Sequence, residues 1–243
     1  MHKTLHLGFK KAYPIDYWKD LNLTQNWHKE VAENKQRKHT LAIAKLWLGK
    51  ETMAKQAKTL NQNEIRRVLD YIATRKHSAR NRALVLTSVY SGCRVGELSS
   101  LTYADTVDAD GKVRNEIRLK AENTKTNEAR TVFVSEKLRK ELEKYIAVYK
   151  PLNPNSKLFY SQKKHSDGFT ANTLTQFFHY LYKRSGIYGA SSHSGRRTFI
   201  TNLATQGVGV RVLMSLAGHK NISTTQCYID VNDDMKRRAV ELA

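Results

Sequence analysis

One change of hydrophobic period constrains the fold of this chain more than any other feature. From Asn61 onward apolar residues recur at helical spacing, and the pattern breaks between Val113 and Glu136 into two short alternating runs. In "KTLNQNEIRRVLDYIATRK", Asn61 and Glu64 have the N-cap and N3 spacing of a capping box. Ile65, Val68, Leu69 and Ile72 follow at i, i+3, i+4 and i+7. "NRALVLTSVYSG" is apolar nearly all round and reads as a buried helix ending at Gly92. "VRNEIRLK" and "ARTVFVSE" then read as strands joined by the polar turn "AENTKTNE", and "KLFYS" as a further short strand. Ser135 opens a helix with Leu138, Leu142, Tyr145 and Ile146 on one side, closed by Pro151 and Pro154. Thr170 caps another that carries Leu174, Phe177, Phe178 and Leu181. Three short helices follow, the first two stopping at Gly207 and Gly218 and the third starting at Ser223, which has capping-box spacing to Gln226. The fold class is mainly α with one small antiparallel β-sheet.

A domain boundary is expected near residue 58. Residues 1–57 form a short basic segment. Its first part is aromatic and irregular around Pro14, and from Thr24 it becomes helical with the polar stretch "ENKQRKH" inside. Residues 58–243 form the main domain. The tail "DDMKRRAVELA" is amphipathic enough for a docking helix, with disorder the alternative.

Charge selects the partner class. Lys and Arg number 42 against 22 Asp and Glu, a formal net charge of +20. A surplus of this size, spread along the chain, fits a folded basic cleft for nucleic acid. A basic inert surface, or a ribosome-like or membrane-surface protein, would be the bland alternatives. Cys93 and Cys227 are not spaced as metal ligands and fit a reducing cytoplasm. The N-terminal residues lack the apolar run of a signal peptide, and no stretch approaches the roughly 20 apolar residues of a membrane span. Cytoplasmic localisation is expected.

Three local patterns carry candidate chemistry. In "SGCRVGELSSL", Arg94 follows Gly92, with Glu97 three residues on; a phosphate ligand and a structural ion pair are both open readings. In "SSHSGRRTF", His193 and Arg196 stand at i, i+3, which on a helix puts imidazole and guanidinium on one face. In "LAGHKNISTTQCYIDV", His219 is followed by Tyr228, which the expected helix start at Ser223 sets one turn inside that helix. A zinc site from His193, His219 and Cys227 is disfavoured, because Arg196 would crowd a dication and no paired ligand spacing occurs.

Taken together, Arg94, Lys125 in "ENTKTNEARTVFV", His193, Arg196, His219 and Tyr228 resemble the tyrosine recombinases of the phage integrase family, over residues 60–231. Order, local context and the intervals from Arg196 to His219 to Tyr228 are as that family has them. The resemblance implies a site-specific recombinase that breaks and rejoins double-stranded DNA at paired half-sites, as a tetramer and without cofactor or metal. Tyr228 would be the nucleophile and His193 its general base. Arg94 and Arg196 would clamp the phosphate, and His219 would bond a non-bridging oxygen and buttress Tyr228. Lys125 would be the general acid, by the local pattern "TKTxxxRxV"; Lys120 is the alternative. Lys220 and Arg197 are expected to meet phosphate or solvent, and His165 to be a loop residue.

The family usually carries a larger helical DNA-clamping domain ahead of the catalytic one, so residues 1–57 imply a reduced clamp or a remnant. Two rival readings remain at this level. A type IB topoisomerase uses similar residues without a defined site pair, and a catalytically silent recombinase-derived regulator would bind DNA only.

Overall fold

The computed structural model describes residues 56–124, 128–162, 167–229 and 233–241. The readings made above for residues 1–55, Lys125 and His165 lie outside the described residues. From Ala57 the chain forms one compact unit. Helix α1 (Gln62–Ala73) opens on the expected reciprocal cap. Asn61 Oδ1 accepts from the Glu64 amide at 2.9 Å, and Glu64 Oε2 accepts from the Asn61 amide at 3.1 Å. Ile65, Val68 and Ile72 are buried, and Leu69 packs at the margin of the core.

Helix α2 (Ser78–Ser91) lies at the centre of the packing, in contact with both α5 (Glu136–Val148) and α7 (Ser194–Thr205). Two of its buried hydroxyls bond back to their own helix, Thr87 Oγ1 to Ala83 O at 2.7 Å and Ser91 Oγ to Thr87 O at 2.6 Å, whereas the buried Ser88 Oγ has no hydrogen-bond partner among the described residues. Gly195 allows the close approach of α7, since a Cβ there would collide with Ser88. At Gly92 (φ 63°) α2 ends in the left-handed conformation, and a Cβ would stand 2.5 Å from Phe199 Cδ1.

Two short helices follow that the sequence pattern does not resolve, α3 (Val95–Ser100) and α4 (Tyr103–Thr106). Strands β1 (Glu116–Leu119) and β2 (Arg130–Phe133) pair antiparallel with Ile117 opposite Val132, and Ile117, Leu119 and Val132 face the core. A single 3₁₀ turn, Ala121–Asn123, leaves β1. "KLFYS" is not a strand. It makes one isolated bridge, Thr102 to Lys157. Leu158 and Phe159 are both buried rather than alternating, and the Tyr145 hydroxyl occupies Leu158 O at 2.7 Å, where a ladder partner would bond.

The remaining helices are α6 (Ala171–Arg184, capped by Thr170), α8 (Val210–Ala217), α9 (Ile222–Gln226) and α10 (Asp233–Val240). The tail is therefore helical over α10. Helix α9 begins earlier than expected: the cap is Asn221, whose Oδ1 accepts from the Ser223 amide at 3.0 Å and from Ser223 Oγ at 2.9 Å. Asx and serine caps compete for the same orphan amides, and here the asparagine wins. The helix stops at Gln226 with Cys227 as its C-cap, so Tyr228 lies just past α9, its amide bonded to Thr225 O at 3.0 Å, and not inside the helix. No helix among the described residues is long and apolar enough to cross a membrane.

Candidate active site

The site is organised by the C-terminal end of α8. Three successive carbonyls there lack helical partners, and each is taken by a different arginine. Arg130 Nη1 donates to Leu216 O at 2.8 Å, Arg196 Nη2 to Ala217 O at 2.6 Å, and Arg94 Nη2 to Gly218 O at 2.8 Å. A helix C-terminus carries partial negative charge, so it gathers cations. Gly218 (φ 62°) then turns the chain inward and delivers His219, which is 9 % exposed. A Cβ at Gly218 would stand 2.7 Å from Arg130 Cδ.

Glu97, 1 % exposed, is the one carboxylate bonded to these guanidinium groups among the described residues. It caps the start of α3 through the Arg94 amide at 2.7 Å and accepts from Arg94 Nη1 at 2.8 Å. Arg130 grips both of its oxygens, Nη2 at 2.6 Å and Nε at 3.2 Å. Burial opposes the Glu97 charge, but the hydrogen bond and charge of Arg130, with Arg94, hold its carboxyl below the usual range. Burial also works against the Arg130 cation, and the bond to Glu97 outweighs it.

Arg196 has no carboxylate bonded to it among the described residues. It is 3 % exposed and its second donor, Nη1, meets Gly92 O at 2.8 Å. Burial first, then the neighbouring Arg94 charge, lower its pKa to about 10. His219 is lowered to about 4 by burial and by the charges of Arg196, Arg94 and Arg130, so the imidazole is neutral at pH 7. Its Nδ1 lies 2.9 Å from Thr225 Oγ1. Its ring stacks on Tyr228 with centroids 5.6 Å apart and planes at 23°. The Arg197 guanidinium sits 5.4 Å from the same tyrosine ring, and Thr201 Oγ1 donates to Tyr228 O at 3.2 Å. Arg197 also bonds Thr59 Oγ1 at 3.1 Å, so it is more than a solvent contact.

His193 is the N-cap residue of α7 with a helical backbone (φ −89°, ψ −10°), and its carbonyl accepts from the Arg197 amide at 2.9 Å; Arg196 is buried while His193 is exposed. It still meets the site, because it lines with Arg94, Glu97, Thr175 and Ser192 an open cleft of about 240 Å³. Lys120 is exposed at the end of β1. Lys220 pairs with Glu128 at 3.0 Å, both side chains exposed. Cys227 Sγ turns back to Ser223 O at 3.2 Å, and no cluster of His, Cys, Asp or Glu among the described residues could hold a metal ion.

Sequence reasoning brought Arg94, Arg196, His219 and Tyr228 to one place and missed Arg130. A signal was available. Arg130 shares the β2 face with buried Val132, and a charged residue at a core-facing strand position calls for a buried partner.

The phage integrase family model matches residues 58–235, and the chain belongs to that family. The tyrosine recombinase XerA of Pyrococcus furiosus is 27 % identical over 187 residues, which cover 76 % of this chain and 62 % of that one. The chain thus spans about 62 % of the length of that relative. The crystal structure of XerA recombinase aligns with a TM-score of 0.61 at 27 % identity, over 77 % of this chain and 65 % of that one. The Tn1549 transposon integrase, solved in complex with circular intermediate DNA, shares the fold at a TM-score of 0.64 and 20 % identity, over 95 % and 87 % of the two chains.

Proposed function

We propose that the protein is a site-specific recombinase that cleaves and rejoins double-stranded DNA through a 3′-phosphotyrosine intermediate. The observation that carries the reading is the convergence of Arg94, Arg196 and neutral His219 at the end of α8, with the His219 ring stacked on Tyr228. In this reading the two guanidinium groups, which keep unused N–H donors, hold the non-bridging oxygens of the scissile phosphate. They supply fixed positive charge where the pentacoordinate centre develops negative charge, the task that metal ions perform elsewhere. Tyr228 Oη attacks phosphorus, and its proton passes to His193. The P–O5′ bond breaks, and the leaving 5′ oxygen takes a proton from Lys125. His219 donates to a non-bridging oxygen and fixes the plane of the tyrosine ring. The phosphotyrosine conserves the phosphoester bond, and attack by a 5′-hydroxyl of another strand reverses the step.

The net charge of +20 supports binding along the phosphate backbone of DNA held on the nucleoid in the cytoplasm. We assign catalysis to residues 58–243 and a part in DNA clamping to residues 1–57. Four protomers assemble on paired half-sites, and α10 docks on a neighbour. A nicked half-site duplex, from which the short cleaved product diffuses away, tests the function. An adduct stable to SDS supports it, and a shift reversed by SDS leaves only a DNA-binding regulator.

A further inference from the structure

Arg130 has no part in the chemistry above, yet its side chain is only 9 % exposed and is fully engaged with the site. Its fork holds both Glu97 oxygens, Nη1 takes Leu216 O, and Nη2 passes 3.8 Å from Cys93 Sγ. Arg94 bonds the same carboxylate at 2.8 Å. One negative charge is therefore divided between two guanidinium groups. Buried carboxylates are not screened by water, so Glu97 would draw whatever cation is available to it. Without Arg130 that cation is Arg94.

We propose that Arg130 is a positioning residue for phosphate recognition: by occupying Glu97 it stops this carboxylate from neutralising Arg94, and so keeps the Arg94 charge for the scissile phosphate. The inference rests on the recombinase function proposed above. It assigns Arg130 an electrostatic role besides its mechanical one of tying β2 to the end of α8. The two roles separate experimentally, because an electrostatic fault is repaired by removing the opposite charge and a mechanical fault is not.

Single-turnover cleavage of the nicked half-site duplex is measured for the full chain, for Arg130→Gln, for Arg130→Lys and for the double variant Glu97→Gln/Arg130→Gln, with a melting curve for each. Arg130→Gln is expected to cleave about 100-fold more slowly, the scale of one lost transition-state donor. Arg130→Lys, which keeps the charge but not the fork, is expected to cleave at a rate between those of the unaltered protein and Arg130→Gln. The double variant is expected to regain about tenfold over Arg130→Gln, because the competing carboxylate is gone. If Arg130→Gln does not fold, a natively melting Arg130→Lys carries the test, and a loss above about 100-fold in it overturns the electrostatic role. A double variant no faster than Arg130→Gln overturns it as well. No cleavage by the unaltered protein overturns the recombinase function itself, whereas the other two outcomes leave that function standing.

Discussion

Replacing Arg196 by methionine should separate activity from stability. The guanidinium is 3 % exposed, and burial together with Arg94 lowers its pKa to about 10. At pH 7, below both the folded and unfolded values, that depression opposes the charged folded state by roughly 3 kcal/mol. Methionine removes this penalty and fills much of the same volume. Against it, Gly92 O and Ala217 O lose their donors at 2.8 and 2.6 Å, at about 1–3 kcal/mol each when no water replaces them. The two effects oppose each other and leave a net change within about 3 kcal/mol. For a domain of this size that is a Tm change of at most about 10 °C, at about 2–4 °C per kcal/mol. Cleavage should fall at least about 100-fold, because the second phosphate donor is gone. Differential scanning calorimetry and single-turnover trapping on the same preparation measure the two together. A Tm loss well above about 10 °C would show that Arg196 is chiefly a strut, and a cleavage rate within about tenfold of the unaltered protein would refute the clamp.

Three further outcomes are expected. His219 has a folded pKa near 4, below its ordinary value, so between about pH 6.5 and 4 the unfolded chain binds a proton that the folded chain refuses; stability should be lost as pH falls through that window, by up to about 1.4 kcal/mol per pH unit, and His219→Gln should flatten the profile of Tm against pH. Lys125→Ala should be slow on an ordinary phosphodiester and far less impaired on a 5′-bridging phosphorothiolate, whose thiolate leaves without a proton; equal impairment on both would move the general-acid role to Lys120. Gly195→Ala forces a Cβ into Ser88 at the contact of α2 with α7 and should destabilise by about 1–3 kcal/mol, which urea unfolding would detect as a lower midpoint at unchanged m.

What the sequence reveals of this fold divides by range. The Asn61–Glu64 cap, the Gly92 and Gly218 stops and the burial of α2 are local, each fixed by residues within a turn of one another, and they are legible as pattern. Errors arise where two local solutions compete. Asn221 and Ser223 can each cap α9, and the asparagine does; the helix also stops at Gln226, with Cys227 as its C-cap, and so leaves Tyr228 outside. His193 caps α7 with a helical backbone, so its spacing to Arg196 is legible in the sequence while its exposure is not. "KLFYS" has strand composition, yet the core takes both Leu158 and Phe159 and leaves no ladder. The sharing of Glu97 between Arg94 and Arg130, and the capping of Leu216, Ala217 and Gly218 by three arginines from distant segments, are long-range pairings that no periodicity encodes.

The central claim is that Tyr228 becomes joined to DNA. The nicked half-site duplex, incubated with the full chain, should yield an adduct that survives SDS. Digestion with trypsin and nuclease followed by tandem mass spectrometry should then locate a 3′-linked nucleotide on Tyr228, and Tyr228→Phe should bind the duplex with unchanged affinity and form no adduct. A nucleotide found on another residue, or adduct formed by Tyr228→Phe at the level of the unaltered protein, would contradict the account.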